Sequence, residues 1–329
     1  MAEANGSGER FLVIGSEGCI GSWVVRRLLA AGEAVVACDL SPVPRRIPRI
    51  VPAEDAERLE YVRVDLTEPA AIDELVARQG TTRIVHLAAL QVPYVAADPT
   101  AGAEVNVVGT TRVLEAARRA DTVRGVSYAS SSAVYGADGT WGRADTLYGA
   151  FKAANEETAR FYARDYATPS VGLRPCVVYG PNRDRGMTAA ITHAIKAAVL
   201  ELPYTIPFQG VLDLQYADDV AAAFISAALA GQDGAPVFDL HGEMLNTTEV
   251  LEVLVAALPA ARELLQLGPA QIPGRVDFDD ALLRDLVGDL PKTSLAAGIA
   301  ASIEMFSRQR DEGTLSEQTF VADAGLKSR

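Results

Sequence analysis

Lysine and cysteine are scarce in this chain of 329 residues. Four of its 30 basic side chains are lysine, and its three cysteines (Cys19, Cys38 and Cys176) are too few and too scattered for a disulfide framework or a zinc cage. Basic tracts are absent, and 43 acidic against 30 basic residues give a net charge of −13. This balance argues against nucleic acid and anionic membranes as partners. We therefore expect neither a bound metal nor a nucleic-acid ligand.

Long apolar runs are also absent. No segment reaches the roughly 18 consecutive apolar residues of a membrane-spanning helix, although 49% of the residues are hydrophobic. The first ten residues are polar and lead directly into a strand-like segment, so we predict no signal peptide and a cytoplasmic location. At about 100–200 residues per domain, the length allows one large domain or two closely associated ones.

The first half of the chain alternates short β-branched runs with longer amphipathic stretches. The strand-like runs are residues 11–14, 34–38, 61–64, 83–87, 125–129 and 171–174. The helical patterns are residues 20–31, 70–79, 101–119 and 146–166. Such alternation is typical of βαβ units, and near-continuous apolar strands indicate burial on both faces of a sheet. The sequence therefore predicts an α/β fold of the Rossmann type, doubly wound, with a mainly parallel sheet of about seven strands.

The pattern changes after Pro175, where proline and glycine become frequent. Helical patterns and one strand-like run follow, at residues 188–200, 217–229, 248–256 and 237–240, respectively. We predict a nucleotide-binding domain over residues 1–175, to which 217–242 returns. Residues 176–216 and 243–329 then form a smaller, α-rich substrate-binding portion. The tail from Asp311 is polar, and we expect it to be peripheral.

Three glycines, Gly15, Gly18 and Gly21, directly follow the first predicted strand and open the first predicted helix. Glycine at this turn lets the backbone approach a pyrophosphate, whose charge the helix N-terminus meets. The spacing differs from the commoner Gly-x-Gly-x-x-Gly, and glycines near a turn also serve packing alone. Asp39 ends the second strand, where a carboxylate accepts hydrogen bonds from the adenosine ribose and repels a 2′-phosphate. The sequence therefore favours NAD over NADP.

Two features near this site leave alternatives open. Arg45 and Arg46 could turn toward a 2′-phosphate, although solvated loop charges are the commoner case. Asp65 ends the third strand before Leu66, where it either meets an adenine amino group or caps the helix that follows.

Tyr148 and Lys152 are four positions apart and therefore lie on one face of a predicted helix. A phenol with a reference pKa near 10 is a poor base at neutral pH, and a neighbouring ammonium lowers that pKa. Exposed Tyr–Lys pairs are common in helices, but here one of only four lysines has this position, after a nucleotide loop. Three serines at residues 130–132 follow the fifth strand. A hydroxyl there can orient a substrate oxygen, or it can simply cap a turn.

With these residues in place, the chain resembles the extended short-chain dehydrogenase/reductase family, of the NAD-dependent epimerase/dehydratase type. The resemblance extends from about residue 11 to about residue 224, two thirds of the chain. Its motifs are, in chain order, Gly15-Ser-Glu-Gly18-Cys-Ile-Gly21, Asp39, Asp65-Leu66, His86-Leu87-Ala88-Ala89, Asn106-Val-Val-Gly109-Thr110, Ser130-Ser131-Ser132-Ala-Val-Tyr135-Gly136, Tyr148-x-x-x-Lys152, Leu173-Arg174-Pro175, Tyr179-Gly180-Pro181 and Tyr216-Ala217-Asp218-Asp219-Val220-Ala221.

The resemblance implies roles for individual residues. Tyr148 would be the acid/base, Lys152 would hold the nicotinamide ribose, and Ser131, four residues before Tyr135, would be the catalytic hydroxyl. The implied NAD site comprises the three loop glycines and Asp39, Tyr148 and Lys152, together with Cys19, Ile20, Asp65, Leu66, Leu87, Ala88, Ala89, Gln91, Asn106, Pro175 and Cys176. The resemblance also implies a homodimer in which helices 101–119 and 146–166 pair across a two-fold axis. His86 is interpreted as a core position.

Several motifs of related enzymes are missing. Ser132 and Ala133 stand where dehydratases have Asp-Glu, and Val177 stands where nucleotide-sugar enzymes have Asn. Residues 211–213 lack an arginine, and no Arg-Arg-x-Gly-Asp element occurs near Arg275. Arg183 and Arg185 could replace these anion contacts.

We therefore predict NAD-dependent hydride transfer at a carbinol or ketone carbon of a sugar-like molecule that is not a nucleotide sugar. The predicted substrate contacts are Gln91, Tyr94, Ser131, Ser132, Arg183, Arg185 and Gln209. The alternatives are an NAD-dependent epimerase of sugars or nucleotide sugars, with no net redox change, and a non-catalytic NAD-binding regulator.

Overall fold

The structure, a computed structural model, describes residues 8–272 and 277–325. Their strands are β1 (Arg10–Ile14), β2 (Ala34–Asp39), β3 (Glu60–Arg63), β4 (Arg83–His86), β5 (Gly125–Ala129), β6 (Val171–Arg174), β7 (Val177–Tyr179), β8 (Tyr204–Gln209), β9 (Val211–Tyr216), β10 (Val237–Asp239), β11 (Glu243–Asn246) and β12 (Leu265–Gln271).

The helices of these residues are α1 (Cys19–Ala30), α2 (Ile47–Ile50), α3 (Ala53–Ala56), α4 (Ala71–Gln79), α5 (Val92–Ala97), α6 (Pro99–Ala103), α7 (Gly109–Arg119), α8 (Leu147–Tyr166), α9 (Ala190–Val199), α10 (Ala217–Leu229), α11 (Thr247–Ala257), α12 (Ala261–Leu264), α13 (Ala281–Val287), α14 (Leu295–Asp311) and α15 (Glu317–Ala324). A π-helical turn, Glu104–Val108, joins α6 to α7, and 3-10 turns form at Ser132–Val134 and Met187–Ala189.

The central sheet has seven strands in the order β10-β6-β5-β4-β1-β2-β3, and every neighbouring pair is parallel. Leu12 of β1 lies between Val36 of β2 and Ile84 of β4, and all three side chains are fully buried. Parallel strands covered on both faces need apolar side chains at nearly every position, which the runs of β1, β2 and β4 provide. The predicted doubly wound, Rossmann-type fold is confirmed.

Helices cover both faces of this sheet. Leu12, Val36 and Ile84 share one apolar cluster with Leu75 of α4 and Val113 of α7. Successive strand side chains point to opposite faces, and the other face is covered by α1, which contacts β1 and β2, and by the part of α10 that packs against β5. The result is a three-layer arrangement of helices, sheet and helices.

The strand order reverses between β1 and β4. From β1 the chain proceeds to β2 and β3 on one side, and then returns to place β4, β5, β6 and β10 on the other. Ligands of such sheets bind in the crevice beyond the carboxyl ends of the strands at this reversal. The loops that follow β1 and β4 are therefore the first place to look for a site.

The described residues form two compact units. The first contains the chain up to Pro175, together with Val220–Leu240 and Asp279–Leu290; the second contains the remaining segments. In the second unit, β9 pairs with β7 in parallel and with β11 in antiparallel orientation, and β8 pairs with β12. Helix α9 is buried along its whole length, with α14 and α15 packed against it.

Two parts of the structure differ from the sequence-based expectations. The predicted helix over 101–119 is interrupted by the π-helical turn. The polar tail, expected to be peripheral, forms α15, whose Phe320 is 1% exposed. Phe320 meets His193 and Tyr204 edge-to-face, so apolar packing holds this segment in place despite its polar composition.

Two kinds of feature are absent from the described residues. No helix in ranges 8–272 and 277–325 is both long enough and apolar enough to cross a bilayer. Over the same ranges, no three His, Cys, Asp or Glu side chains come together as a metal site would require.

Candidate active site

The glycine loop closes tightly between β1 and α1. Gly15 has φ of +84°, its N–H donates to Cys38 O (2.9 Å), and a Cβ at this position would lie 2.4 Å from Ala88 N. Glycine alone adopts this backbone conformation readily and also lets the loop after β4 approach so closely. Gly18 immediately precedes α1, and Cys19, Ile20 and Gly21 form its first turn. The first N–H groups of a helix have no intrahelical acceptor, so this turn suits an anion such as a pyrophosphate.

Asp39 and the glycine loop are joined by Glu17. The Glu17 N–H donates to Asp39 Oδ2 (3.0 Å), and the Glu17 carboxylate accepts the backbone N–H groups of Arg45, Arg46 and Ile47 at 2.6, 2.8 and 3.2 Å. The Arg46 guanidinium donates to Glu17 O (2.8 Å). One of the two arginines considered for a 2′-phosphate is therefore bonded to the glycine loop, and Asp39 stands at the end of β2 as predicted for a ribose partner.

Asp65 stabilises a turn. Its Oδ1 accepts the N–H (2.9 Å) and the hydroxyl (2.7 Å) of Thr67, and these two hydrogen bonds hold the pKa of Asp65 below its usual range. The alternative of a helix cap is not what the structure shows, because α4 begins only at Ala71. Leu66 beside it is buried, and Leu66 O accepts from Arg112 (2.6 Å). Adenine contacts of Asp65 and Leu66 remain a prediction.

The loop after β4, which carries the predicted residues Leu87, Ala88, Ala89 and Gln91, is held from the π-helical turn. Asn106 is fully buried, its Oδ1 accepts Leu90 N–H (2.7 Å), and its Nδ2 donates to Leu90 O (2.9 Å). The backbone carbonyl of Asn106 accepts hydrogen bonds from the Thr110 hydroxyl and from Asn155 Nδ2. Asn106 lies in the π-helical turn, whose hydrogen-bonded ring is wider than that of an α-helix. The structure thus gives Asn106 a supporting position under this loop, whereas its predicted direct contact with a cofactor remains untested.

Gln91 and Tyr94, both predicted substrate contacts, lie at the start of α5. Gln91 precedes the helix, and its buried Oε1 has no hydrogen-bond partner among the described residues. Tyr94 is 39% exposed. A buried acceptor without a partner is costly unless a ligand or water meets it, so Gln91 fits a ligand contact.

Tyr148 and Lys152 occupy one face of α8, as predicted. Lys152 Nζ lies 5.6 Å from the centroid of the Tyr148 ring and donates to Ala129 O (2.6 Å) at the end of β5. Lys152 is 3% exposed, and this burial lowers its pKa to about 8, while the charge of Glu156 acts in the opposite direction. The ammonium has three hydrogens and one hydrogen-bond acceptor among residues 8–272 and 277–325, so it can still donate to a ligand hydroxyl.

His86 lies at the end of β4, where the charge of Lys152 affects the pKa of its ring. Burial, and then the charge of Lys152, lower the pKa of His86 to about 3, so its ring is neutral at physiological pH. Its Nε2 is 3.0 Å from the Thr110 hydroxyl. These contacts agree with a core position.

The three serines have different surroundings. Ser130 is buried and donates to the Glu156 carboxylate. Ser131 precedes the 3-10 turn, where its Oγ accepts Ala133 N–H (3.1 Å), and Ser132 N–H donates to Pro175 O (3.1 Å). Ser131 is partly exposed, and its own hydroxyl hydrogen has no acceptor in the described part of the chain. Ser131 and the likewise partly exposed Ser132 are therefore the hydroxyls of the run that can bind a substrate oxygen, and the catalytic role of Ser131 remains a prediction.

Helix α8 packs directly on this turn. A Cβ at Gly149 would lie 2.0 Å from Ala133 O, and Gly149 N–H donates to the Thr146 hydroxyl (3.1 Å), which caps the helix. Because Gly149 follows Tyr148 and Ala133 follows Ser132, the absence of a side chain at 149 lets the tyrosine helix approach the serine loop.

The remaining predicted residues belong to the second unit. Cys176 is partly exposed, and its N–H donates to Gln215 Oε1 (3.1 Å). Arg183 donates to the Thr188 hydroxyl (3.1 Å), and its buried Nε has no partner among the described residues. Gln209 Nε2 donates to Gly268 O (2.8 Å), while Arg185 is exposed.

A charged network beside this site was not predicted. Glu156 forms a buried, two-pronged ion pair with Arg174, with Oε1 to Nε at 2.7 Å and Oε2 to Nη2 at 2.6 Å. Trp141 Nε1 donates to the same carboxylate (2.6 Å), and Arg174 Nη1 donates to the Tyr135 hydroxyl (2.7 Å). One sequence signal was available: Tyr148, Lys152 and Glu156 recur every fourth residue, which places all three on one helix face.

The residues present fit a dinucleotide. The tight glycine turn, the carboxylate at the end of β2 and the buried ammonium with spare hydrogens are respectively suited to a pyrophosphate, a ribose and a second ribose. A profile of the "NAD dependent epimerase/dehydratase family" matches residues 11–240. The fold and site thus define a dinucleotide-binding protein of the extended short-chain dehydrogenase/reductase class. Within it, the chain belongs to the NAD-dependent epimerase/dehydratase family.

Individual relatives are similar over nearly the whole chain. The UDP-glucose 4-epimerase of Mycolicibacterium smegmatis is 32% identical over 311 residues, which cover 90% of this chain and 98% of that protein. The structure of MoeE5 in complex with UDP-glucose and NAD is 28% identical, with a TM-score of 0.77, and covers 92% of this chain and 99% of that one. The NAD complex of the UDP-glucose 4-epimerase of Thermus thermophilus is 29% identical, with a TM-score of 0.75, and covers 90% and 98%.

These comparisons bear on the sequence-based predictions in different ways. The predicted family is confirmed, and NAD as the cofactor is confirmed at the level of that family. The predicted preference for a substrate without a nucleotide is not favoured, because relatives of this chain are named as nucleotide-sugar epimerases. They support the alternative that the sequence left open, an epimerase of nucleotide sugars.

Proposed function

We propose that the chain is an NAD-dependent epimerase that inverts a secondary carbinol carbon of a nucleotide-activated sugar. The observation that carries the proposal is the buried Lys152 ammonium beside Tyr148, bonded to the end of β5 next to the serine loop. A chain that bound NAD without chemistry would have no need of this costly arrangement, because an unpaired buried ammonium destabilises the fold. The relatives named above support the epimerase over a net dehydrogenase.

In this proposal the chain's own residues handle the proton. Tyr148, as phenolate, takes the hydroxyl proton of the substrate, and the Lys152 charge stabilises that phenolate. Ser131 donates its hydroxyl hydrogen to the same substrate oxygen and orients it. Bound NAD supplies a reversible hydride acceptor. Tyr148 then returns the proton to the same oxygen when the inverted carbinol forms.

A net dehydrogenase of a sugar without a nucleotide is the second candidate. It is favoured by the missing anion contacts: Val177 replaces an asparagine, and residues 211–213 contain no arginine. Arg275, near which the sequence shows no diphosphate-binding element, lies outside the described residues. Arg183 and Arg185 remain predicted substitutes for these contacts.

Incubation with NAD and a panel of UDP-, dTDP- and free hexoses separates the candidates. Stereoisomer formation without net reduction of NAD supports the epimerase, net reduction supports the dehydrogenase, and tight NAD binding with neither supports a regulator. Tyr148→Phe should lower turnover by about 10²–10⁴-fold while NAD binding persists. The matched control is Tyr166→Phe, an exposed tyrosine at the end of the same helix, which should retain activity. Near-normal turnover of Tyr148→Phe would overturn the assignment.

We further propose a cytoplasmic homodimer built on α7 and α8. Support comes from large apolar side chains that remain exposed on or beside these helices, Val108 (37%), Leu147 (44%) and Phe161 (41%). Such side chains commonly mark contact surfaces when they share a face. Sedimentation of the chain as a dimer at micromolar concentration, and as a monomer after Phe161→Glu, is the expected result. A monomeric parent chain would contradict it.

A further inference from the structure

Glu156 accepts hydrogen bonds from three separate segments of the chain. Its side chain is 4% exposed, and its carboxylate accepts from Ser130, from Trp141 and twice from Arg174. Four donated hydrogen bonds, two of them from a guanidinium, satisfy the hydrogen-bonding capacity of this buried carboxylate.

The donors belong to segments that frame the candidate site. Ser130 is the neighbour of Ser131, and Arg174 is the neighbour of Pro175, whose carbonyl accepts Ser132 N–H. Trp141 belongs to a hairpin over 135–142, closed by the pairing of Tyr135 with Trp141 and by Gly142 N–H donating to Val134 O (3.0 Å). The carboxylate therefore ties the serine loop, the end of β6 and this hairpin to the helix that carries Tyr148 and Lys152.

A second layer fixes the arginine. Arg174 Nη1 donates to the Tyr135 hydroxyl, which itself donates to Asp239 (2.9 Å), and the guanidinium lies over the Tyr135 ring at 5.2 Å from its centroid. Buried ion pairs are weak evidence for a net gain in stability, because desolvation offsets the attraction. What such a network provides is one defined geometry, and here that geometry includes the loop of Ser131.

Glu156 also acts on Lys152, one helical turn earlier. Side chains four positions apart on a helix have Cβ atoms about 5–6 Å from each other. The charge of Glu156 raises the pKa of Lys152, against the larger lowering that burial causes. The other titratable groups around Lys152 and Glu156 are Tyr148, His86, which is neutral, and Tyr128, whose phenol burial keeps protonated by raising its pKa; Arg174 pairs with both Glu156 and Asp239. The Glu156 carboxylate therefore helps to hold the proton on Lys152.

We propose that Glu156 is a positioning residue of the active site, which holds the Ser131 loop against the Tyr148 helix and keeps Lys152 in its ammonium form. The catalytic part of this inference rests on the proposed function. The electrostatic and structural parts concern the chain alone and are measurable without a substrate.

The scarcity of lysine makes the first test direct. With lysine labelled with ¹³C at Cε, the chain gives four side-chain signals, and Lys152→Arg identifies the one from Lys152. We expect its titration midpoint near pH 8 in the parent and about one pH unit lower in Glu156→Gln. The matched control is Glu157→Gln, whose surface carboxylate pairs with Arg160 and should leave the midpoint in place. An unchanged or higher midpoint in Glu156→Gln overturns the electrostatic role.

The indole N–H signals provide a second readout. Trp141 lines an open cavity of about 460 Å³ and is 40% exposed, whereas Trp23 is 2% exposed and serves as the internal reference. Glu156→Gln replaces a charge-assisted hydrogen bond with a neutral one, so the Trp141 signal should move upfield while that of Trp23 stays. If both signals stay, the proposed contact is absent in solution and the positioning role falls.

Should Glu156→Gln fail to fold, Ser130→Ala and Trp141→Phe keep the ion pair with Arg174 and remove one contact each. We expect kcat to fall about three- to tenfold in each, with KM and the Lys152 midpoint unchanged, because the serine loop or the hairpin is displaced slightly. Parental kcat in both variants refutes the positioning role. Should the parent chain convert no sugar, the proposed function fails, while the lysine and indole measurements still decide the role of Glu156.

Discussion

Lys196 offers a quantitative test of the second unit. Its ammonium pairs with Asp184 Oδ1 (2.6 Å) and Asp323 Oδ2 (2.9 Å) and lies over the Phe306 ring at 5.5 Å from its centroid. The side chains of Lys196 and Asp184 are 2% and 1% exposed, whereas that of Asp323 is 23% exposed. In Lys196→Met the apolar stem is retained and the charge is lost, so the change leaves the Asp184 carboxylate buried without the Lys196 ammonium.

The magnitude follows from that burial. Breaking a buried ion pair by removing one partner costs about 3–5 kcal/mol, and the partly exposed Asp323 adds little because water screens it. The measurement is the free energy of unfolding from urea titrations of the parent and the variant. Lys292→Met, at an exposed lysine, is the control and should change the free energy by less than about 0.5 kcal/mol.

A double variant completes the cycle. Lys196→Met combined with Asp184→Asn also removes the buried carboxylate charge, so it should be more stable than Lys196→Met alone. If Lys196→Met costs no more than the exposed control, the buried ion pair described here is not present in solution.

Three further changes test the first unit. Gly15→Ala should weaken NAD binding at least tenfold in calorimetric titrations, because φ of +84° and the contact with Ala88 N both exclude a side chain; parental affinity would contradict this. Gly149→Ala should lower turnover more than NAD affinity, because its Cβ pushes α8 away from Ala133 O; equal losses would refute the proposed packing role. Activity of the parent should fall as the pH rises through about 8, because the lowered pKa of Lys152 removes the ammonium there, and a pH–rate profile flat to pH 10 would refute it.

The sheet could be read from the sequence because its strands are buried on both faces. β1, β2 and β5 are runs of apolar and β-branched residues, and their observed ends lie within one residue of the predicted ones. Strands β8 and β9 of the second unit gave no such signal. β8 contains Pro207, and β9 contains the buried polar residues Asp213 and Gln215, so neither resembles an apolar run. Both depend on partners that come from elsewhere in the chain.

The site divides in the same way. The glycine loop and the Tyr148–Lys152 pair are local patterns, and their spacing alone places them on a turn and on a helix face. Glu156 and Arg174 are 18 positions apart and meet because the fold brings α8 beside the end of β6. Asn106 supports Leu90 from a π-helical turn that the sequence pattern did not indicate. Pairings of this kind arise from tertiary packing, which periodicity does not report.

The Glu17 carboxylate has a consequence for any attempt to change which dinucleotide this protein accepts. The segment after the second strand lies next to the predicted ribose partner Asp39, so it is the segment that such a change would replace. Here the backbone N–H groups of residues 45–47 donate to the carboxylate of Glu17, a residue of the phosphate turn that is 5% exposed. A replacement segment without N–H groups at those positions would leave the Glu17 carboxylate buried without these hydrogen bonds. The phosphate turn and the segment at residues 45–47 therefore depend on each other, and we expect that they can be exchanged only together.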